Sequence, residues 1–303
     1  MRLPQLLPGL ALAALALTAC AAPDSASTAD SNGGEPTAEV GALSKDDAIA
    51  DMLPEDIKSS GTVRVASGVS FPPMEFFDTD NKTVLGFDAD LGAALGQVLG
   101  VKFEFENTNF DGIIGGLNAD RYDLSLTSMI DKAERQETVD FVDYLSSGVT
   151  YMVVKGNPEG LTEKLDLCGK SVGVEKSATG DIVADEISQE CTAGGQPAVK
   201  KQPYPDQASA VQALQSGRAD AVLALDLTLA YNVKENPEDF EVAAKPFGAL
   251  PVGIPVPKDN PELRDAVQAA LLKVQESGAY DEMLEKWNLT DQALKGAPIN
   301  AGK

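Results

Sequence analysis

Apolar and polar positions along the chain follow two different spacings, which predict a succession of strands and helices. Residues 62–66 are apolar at every second position, as in a strand, whereas residues 88–99 are apolar at every third or fourth position, as in a helix. Asp88 is the expected N-cap of that helix, and Gly100 is its expected end. The series continues with a strand over 101–106, a helix over 111–118 and a strand over 123–127. This β-α-β-α-β order predicts a parallel sheet.

A second series of the same kind follows along the chain. It contains strands over 171–174, 199–202 and 220–225, with helices over 179–190 and 206–216. A near-repeat relates the two series, because Leu117-Asn-Ala-Asp-Arg-Tyr-Asp123 and Leu214-Gln-Ser-Gly-Arg-Ala-Asp220 start 97 residues apart. Each copy leads from a helix through a turn into an apolar strand. A unit built twice predicts two similar lobes, with a ligand cleft at the carboxyl ends of the strands.

Two extended apolar runs are expected to connect the lobes. Residues 149–154 form the first run and residues 250–257 form the second, which leads to two final helices. Two crossings predict a two-strand hinge, with the first lobe built from both ends of the chain. We therefore predict lobe 1 from residues 46–152 and 251–303, and lobe 2 from residues 153–250.

The N-terminal residues have the features of an export signal. Arg2 precedes an apolar run that ends in Leu17-Thr18-Ala19-Cys20, which resembles a bacterial lipobox. We predict a signal peptide over residues 1–19 and lipidation, including palmitate, at Cys20; a chance cysteine is the alternative. Residues 20–45 are poor in large apolar side chains and predict a lipid-anchored flexible tether. The expected location is the extracytoplasmic face of the cell membrane, with attachment through the lipid only.

Composition excludes several functions. The net charge of −23 repels nucleic acid, so no nucleic-acid partner is expected. The chain has no histidine, so neither a Ser-His-Asp nor a Cys-His mechanism is possible. If Cys20 is lipidated, Cys168 and Cys191 remain as a pair. An exported protein favours a disulfide between them, with two free thiols as the alternative. We expect no metal and no cofactor.

Several segments together resemble the amino-acid-type solute-binding proteins (family 3) of ABC importers. They include Phe71-Pro-Pro-Met-Glu-Phe, Gly86-Phe-Asp-Ala-Asp-Leu, Asn109-Phe-Asp-Gly-Ile-Ile, Gly169-Lys-Ser-Val-Gly-Val and Gly278-Ala-Tyr-Asp-Glu-Met-Leu-Glu-Lys-Trp287. The resemblance covers about residues 53–290. It implies the type II periplasmic-binding-protein fold, an α/β architecture in which two parallel-rich sheets flanked by helices are joined by a two-strand hinge. It also implies a monomer that delivers a small solute, such as a polar amino acid, to an ABC permease and its ATPase.

The same resemblance implies a set of ligand-binding residues. Phe71 and Phe110 match positions that sandwich the ligand, and Arg135 matches an arginine that clamps its carboxylate. A guanidinium suits that task because it stays charged and binds a carboxylate bidentately. The remaining expected ligand-binding residues are Thr127 and Ser128 for the carboxylate, Thr179 at a helix start, and Asp226 for the amine. Core packing for the aromatic residues and a surface ion pair for Arg135 are the alternatives.

The chain departs from the family pattern at three positions. Ile130 replaces a hydroxyl residue, Gly68 stands where binders of basic side chains often have Asp, and Leu225 occupies the strict match of the amine-binding Asp. The ligand's amine contact is therefore open. Two other functions also stay open: a dehydratase-like enzyme using a carboxyl group such as that of Glu175, Asp88 or Asp226, and a ligand-sensing module.

Overall fold

The computed structural model describes residues 43–303. The helices are α1 (Asp47–Ala50), α2 (Glu55–Ser60), α3 (Phe87–Leu99), α4 (Ile113–Leu117), α5 (Ala133–Gln136), α6 (Thr179–Ala193), α7 (Gln207–Gln215), α8 (Asp226–Glu235), α9 (Pro261–Ser277) and α10 (Ala279–Trp287). The strands are β1 (Thr62–Ser67), β2 (Phe76–Phe77), β3 (Val84–Leu85), β4 (Lys102–Asn107), β5 (Leu124–Ser125), β6 (Met129–Ile130), β7 (Val139–Val154), β8 (Ser171–Glu175), β9 (Lys200–Tyr204), β10 (Ala221–Leu225), β11 (Phe240–Val242) and β12 (Phe247–Pro257).

Lobe 1 is the group of elements around the parallel sheet β4-β1-β5, with β12 packed beside β5. Val65 of β1 pairs with Phe105 on one side and Leu124 on the other, and Val65 is fully buried. Helix α3 covers this sheet with its apolar face and ends at Gly100, whose φ of 69° favours glycine. The expected N-cap was wrong: Gly86 holds that position, and Asp88 is buried in the first turn.

Lobe 2 repeats the arrangement. Its strands lie in the order β9-β8-β10-β7, with β8 parallel to both neighbours and β7 antiparallel to β10. Helices α6 and α7 pack against β8 and β10. The predicted α/β fold with two helix-flanked sheets is therefore confirmed.

The near-repeat makes the same connection in each lobe. Asp123 accepts a hydrogen bond from the backbone N–H of Arg64 on β1 at 2.6 Å. Asp220 accepts one from the N–H of Ser171 on β8 at 2.8 Å. Each aspartate thus fixes the turn after a helix to the first strand of its own lobe.

The long strands β7 and β12 form the connection between the lobes. They pair antiparallel from Val139↔Pro257 to Val149↔Phe247, with irregular register on both sides of the segment Leu250–Val252. At the lobe 1 end β6 pairs with β12, and at the lobe 2 end β10 pairs with β7. Because both strands run through this junction, the lobe limits at residues 152/153 and 250/251 stay predictions.

Cys168 and Cys191 form a disulfide with a Cα–Cα distance of 5.6 Å. It connects the segment before β8 to the C-terminal half of α6. The predicted signal peptide, Cys20 and nearly all of the predicted tether lie outside the described residues. Within residues 43–303, no helix is both long and apolar enough to cross a membrane.

Candidate functional site

A cavity of about 400 Å³, part of which opens to solvent, lies between the two lobes. Its walls come from the carboxyl ends of β1, β8 and β10 and from the starts of α6 and α7. The lining residues are Gly68, Phe71, Glu75, Phe110, Thr127 and Ser128 from lobe 1, and Glu175, Ala178, Thr179, Gly180, Gln207, Leu223, Ala224 and Leu225 from lobe 2. The cavity therefore lies where ligands bind in open α/β sheets, at the carboxyl ends of the strands.

Two aromatic rings line lobe 1's side of the cavity, as the resemblance predicted. Phe71 follows β1 and is buried, and Phe110 precedes α4 and is half-buried. The guanidinium of Arg135 lies over the Phe110 ring, 5.4 Å from its centre. Arg135 itself is 8% exposed and is not among the lining residues.

Arg135 is hydrogen-bonded to carbonyl groups of both lobes. Its Nη1 donates to the carbonyl of Ile130 at 2.8 Å, and its Nη2 donates to that of Ser177 at 3.0 Å. Burial lowers the pKa of Arg135 to about 10, so the group remains charged at neutral pH. Whether it binds a carboxylate stays a prediction.

The polar groups of lobe 1's cavity wall are hydrogen-bonded to one another. Thr127 Oγ1 donates to Glu75 Oε1 at 3.0 Å and accepts from the N–H of Gly68. Asp88 accepts from the Ser128 N–H at 3.0 Å and from the Tyr144 hydroxyl at 2.7 Å. The hydroxyls expected to serve a ligand carboxylate therefore already contact buried acidic groups.

Glu75 and Asp88 are neighbouring buried carboxyls whose pKa values are both raised. Burial raises the pKa of Asp88 to about 6 against the hydrogen bonds that favour its carboxylate. Burial, followed by the charge of Asp88, raises the pKa of Glu75 well above its usual range. An ionised Glu75 would leave its Oε2 buried without a partner, whereas a protonated Glu75 donates to Asp88. Glu75 is therefore the neutral member of the pair at neutral pH.

The polar residues in lobe 2's wall lack such partners. Glu175, the last residue of β8, is 5% exposed, and burial raises its pKa to about 8, with the charges of Asp206 and Asp111 adding to the effect. Gln207 is 2% exposed, and its Nε2 has no hydrogen-bond partner among the described residues. Residues 43–303 contain no group of three or more acidic or cysteine side chains suited to a metal ion.

Helix α6 starts at the cavity wall. Its first N–H groups have no partner within the helix, and Thr179 and Gly180 place theirs beside the cavity. A Cβ atom at position 180 would lie 2.2 Å from the Leu223 carbonyl, so only glycine allows α6 to approach β10 this closely. The arrangement favours an anionic ligand group at this end of α6.

Asp226 lies at the start of α8, outside the lining set. Its Oδ1 accepts from the Ser147 hydroxyl at 2.6 Å and from the Leu227 N–H at 2.8 Å. Leu225, the preceding residue, lines the cavity instead. A contact between Asp226 and a ligand amine stays a prediction, which the observed hydrogen bonds do not support.

The two lobes are joined across the cleft by polar contacts. They are Thr228 Oγ1 to the Pro72 carbonyl at 2.5 Å, Lys176 to Asp111 at 2.6 Å, Arg135 to the Ser177 carbonyl at 3.0 Å, and Lys132 to Glu186 at 3.3 Å. These contacts hold the lobes together around the cavity.

Three lining residues with polar side chains were absent from the expected ligand-binding set. Glu75 lies within the quoted segment Phe71-Pro-Pro-Met-Glu-Phe, where a charge among apolar residues could have marked it. Glu175 ends a strand at the edge of the cleft, and the sequence suggested for it only the role of an acid or base in an enzyme. Gln207 carries no signal in the sequence that distinguishes it from other polar residues at helix starts.

The two-lobed fold with a cavity between the lobes defines a solute-binding protein. The description of bacterial extracellular solute-binding proteins, family 3, matches residues 63–290, and the chain belongs to this family. The arginine-binding protein ArgT of Corynebacterium glutamicum is 27% identical over 82% of this chain and 81% of its own. The L-cystine-binding protein TcyJ of Escherichia coli K12 is 29% identical over 76% of this chain and 84% of its own.

Solved structures agree with this assignment. The ancestral amino acid-binding protein AncCDT-1, a precursor of cyclohexadienyl dehydratase, superposes with a TM-score of 0.69. It is 32% identical and covers 77% of this chain and 98% of its own. The named relatives are amino-acid-binding proteins, which supports a solute-binding role rather than catalysis. They are named for ligands that differ in charge, so membership alone does not identify this chain's solute.

Proposed function

We propose that this protein captures a small carboxylate-bearing solute, a polar amino acid in the first instance, and delivers it to an ABC permease with a cytoplasmic ATPase. The observation that carries the proposal is the cavity between the lobes, which is lined from both sides and bridged by contacts across the cleft. Such a site binds a solute only when both lobes contact it, and the permease then meets a closed complex.

The start of α6 and Arg135 provide for the solute's carboxylate. The N–H groups of Thr179 and Gly180 favour an anion. Arg135 already reaches Ser177, two residues before α6, so exchanging that carbonyl for a carboxylate needs little movement. The rings of Phe71 and Phe110 would enclose the solute's apolar part, while Thr127 and Ser128 would complete the polar side.

A screen of the purified protein tests this proposal. Thermal unfolding should be measured with each standard amino acid and with simple mono- and dicarboxylates. A ligand at 100 times its Kd adds about 2.7 kcal/mol of stability, or roughly 5–10 °C for a chain of this size. Mass spectrometry should recover the bound solute unchanged. If no solute shifts the unfolding, the transport proposal is wrong.

One observation favours an enzyme as the second candidate. Glu175 is a buried carboxyl at the cavity with a pKa of about 8, so it is a proton donor at neutral pH. Incubation of the protein with its bound solute, followed by NMR, decides between the two functions. A carrier leaves the solute intact, whereas an enzyme produces a new compound at a rate that Glu175→Gln abolishes.

The proposed membrane attachment rests on Leu17-Thr18-Ala19-Cys20. Cys20→Ala should prevent lipid attachment and leave the protein unprocessed or released from the cell. Metabolic labelling with a palmitate analogue and cell fractionation measure both effects. A variant that is processed and stays membrane-bound like the wild type would contradict the lipoprotein assignment.

A further inference from the structure

Lobe 2's wall of the cavity presents a carboxyl group without a counter-charge. Glu175 is buried at the end of β8 and lines the cavity. The adjacent Lys176 does not neutralise it, because Lys176 Nζ pairs with Asp111 at 2.6 Å across the cleft. Arg135, the buried guanidinium of the cleft, donates to two carbonyls. Among residues 43–303, none forms a salt bridge or side-chain hydrogen bond with the Glu175 carboxyl.

The surroundings of Glu175 are acidic. The charges of Asp206 and Asp111 raise the pKa of Glu175. The charge of Glu175 in turn raises the pKa of Glu75. A buried carboxylate in such surroundings is costly unless a cation pairs with it. Gln207, in the same wall, adds an amide whose Nε2 has no partner among the described residues. A carboxyl without a counter-charge and an amide donor without an acceptor therefore line one cavity, where a ligand can supply a donor to the first and an acceptor to the second.

Lobe 1 does not provide an equivalent group. Glu75 also lines the cavity, but it accepts from Thr127, and the neighbouring charge of Asp88 helps to keep it protonated. Glu175, with a pKa of about 8 and no hydrogen-bonded partner, can lose its proton to pair with a cation. The selection of a cationic group therefore belongs to lobe 2.

We propose that Glu175 binds a positively charged nitrogen group of the solute, either an ammonium or a guanidinium, while the Gln207 Nε2 in the same wall would donate to an oxygen of that solute. This inference rests on the proposed function, because it assigns the chemical class of a solute that the same cavity holds. The carboxylate would lie at the start of α6 and the cation at the end of β8. Solutes that lack a cationic nitrogen, such as dicarboxylates, would be rejected.

Calorimetric titration at pH 8 with L-arginine, L-citrulline, L-glutamine and succinate tests the proposal. Arginine carries a cationic side chain and an α-ammonium, citrulline and glutamine carry only the α-ammonium, and succinate carries neither. Glu175→Gln should weaken binding of arginine at least about 30-fold, since a charge partner in a closed cleft is lost. Loss for arginine alone places the side-chain cation at Glu175, whereas equal loss for citrulline places the α-ammonium there.

Glu238→Gln is the matched control, because it removes the same charge from an exposed position of lobe 2. Its affinities should equal those of the wild type. Unchanged affinity for every amino acid in a folded Glu175→Gln protein would overturn the inference. A wild type that binds succinate in preference to the amino acids, or binds none of the four probes, would also overturn it. In both cases, the thermal-unfolding screen with all standard amino acids and simple carboxylates tests separately whether the protein captures a solute for transport.

A second measurement needs no variant. Because the Glu175 carboxyl is largely protonated at pH 7, pairing it with a cation should release about one proton per bound arginine. Titrations in buffers of different ionisation enthalpy count that proton. Affinity for arginine should correspondingly rise as the pH is raised from 6 to 8. Binding without proton release would show that the cation lies elsewhere in the cavity.

Discussion

The buried acidic groups in the two walls of the cavity differ in their hydrogen-bond partners. In lobe 1, Glu75 is hydrogen-bonded to Thr127, and Asp88 is hydrogen-bonded to Ser128 and Tyr144. In lobe 2, Glu175 has no such network. The acidic groups of lobe 1's wall therefore have hydrogen-bond partners within the protein, whereas the proposal assigns the partner of Glu175 to a ligand. Burial of a carboxyl does not by itself mark a ligand contact; we infer one only where the carboxyl also lines the cavity and has no counter-charge.

The largest expected effect comes from removing the centre of lobe 1's network. Asp88→Ala leaves the Tyr144 hydroxyl, the Ser128 N–H and the Glu75 carboxyl without their partner. At about 1–3 kcal/mol for each of these three buried groups, stability should fall by at least about 3 kcal/mol. Urea unfolding of the ligand-free protein measures this loss.

Two variants provide the comparison for Asp88. Asp259→Ala removes an exposed aspartate and should leave stability unchanged within about 0.5 kcal/mol. Glu175→Ala removes lobe 2's carboxyl, leaves no internal donor unpaired and should cost far less than Asp88→Ala. Equal losses for Asp88→Ala and Glu175→Ala would contradict the contrast between the walls.

Lobe 2's wall relies on a covalent link. The Cys168–Cys191 disulfide has a sequence separation of 23 residues. It connects the segment before β8, the strand that ends at Glu175, to α6, the helix that begins at Thr179. Replacing both cysteines by serine should lower stability by about 3 kcal/mol in the chain-entropy description. Wild-type protein that is reduced and alkylated should show a similar loss. Recovery of both thiols alkylated in unreduced protein would refute the link.

Arg135 connects the two lobes, since it donates to a carbonyl in each. Arg135→Ala should weaken solute binding at least about 30-fold, because a carboxylate in the closed cleft loses its charge partner. Arg135→Lys should restore only part of the affinity, since an ammonium cannot form the bidentate fork. Calorimetric titration and a ligand-free melt are the measurements. A folded Arg135→Ala protein with wild-type affinity would remove Arg135 from the site.

Asp143 is a buried carboxyl outside the cavity, and we expect it to make the stability of the protein depend on pH. Burial raises the pKa of Asp143, near the hinge, to about 7, and its Oδ1 has no hydrogen-bond partner among the described residues. Because this folded-state pKa lies above the usual value of 3.8, the folded protein binds the proton more tightly. The stabilisation is therefore greatest at low pH and is lost as the pH rises through 7.

Asp143→Asn keeps this position neutral at every pH. It should stabilise the protein by roughly 1–2 kcal/mol at pH 8 and by much less at pH 5. Unfolding in urea at both pH values measures the difference, and exposed Asp259→Asn serves as the control. An equal effect at both pH values would show that Asp143 does not titrate in this range.

The sequence predicted the elements in which apolar residues recur at a regular spacing, such as β1, α3, β8 and α7. It missed α8, because the apolar residues after Asp226 continue the pattern of β10 without a turn signal. The hairpin of β2 and β3 was also missed, since each strand has only two residues. Short elements depend on contacts with distant residues, and such contacts leave no local period.

The site was predictable only to the extent that its residues follow strand ends. Phe71, Thr127 and Thr179 lie there and line the cavity, although their contacts with a ligand stay predictions. The interaction between Glu75 and Asp88 could not be predicted, because these residues meet only after α3 packs on its sheet. The contact between Arg135 and Ser177 likewise requires both lobes to be in place.

The contacts across the cleft have a consequence for how the protein responds to its surroundings. Two of the four are ion pairs with at least one exposed side chain, whereas the buried apolar core is uncharged. Interactions between exposed charges weaken with salt, because the Debye length falls from about 10 Å at 0.1 M to about 3 Å at 1 M. High ionic strength should therefore favour separation of the lobes while leaving their folding intact. The salt concentration around the protein would then determine what fraction of the ligand-free molecules has its lobes apart and its cavity accessible to a solute.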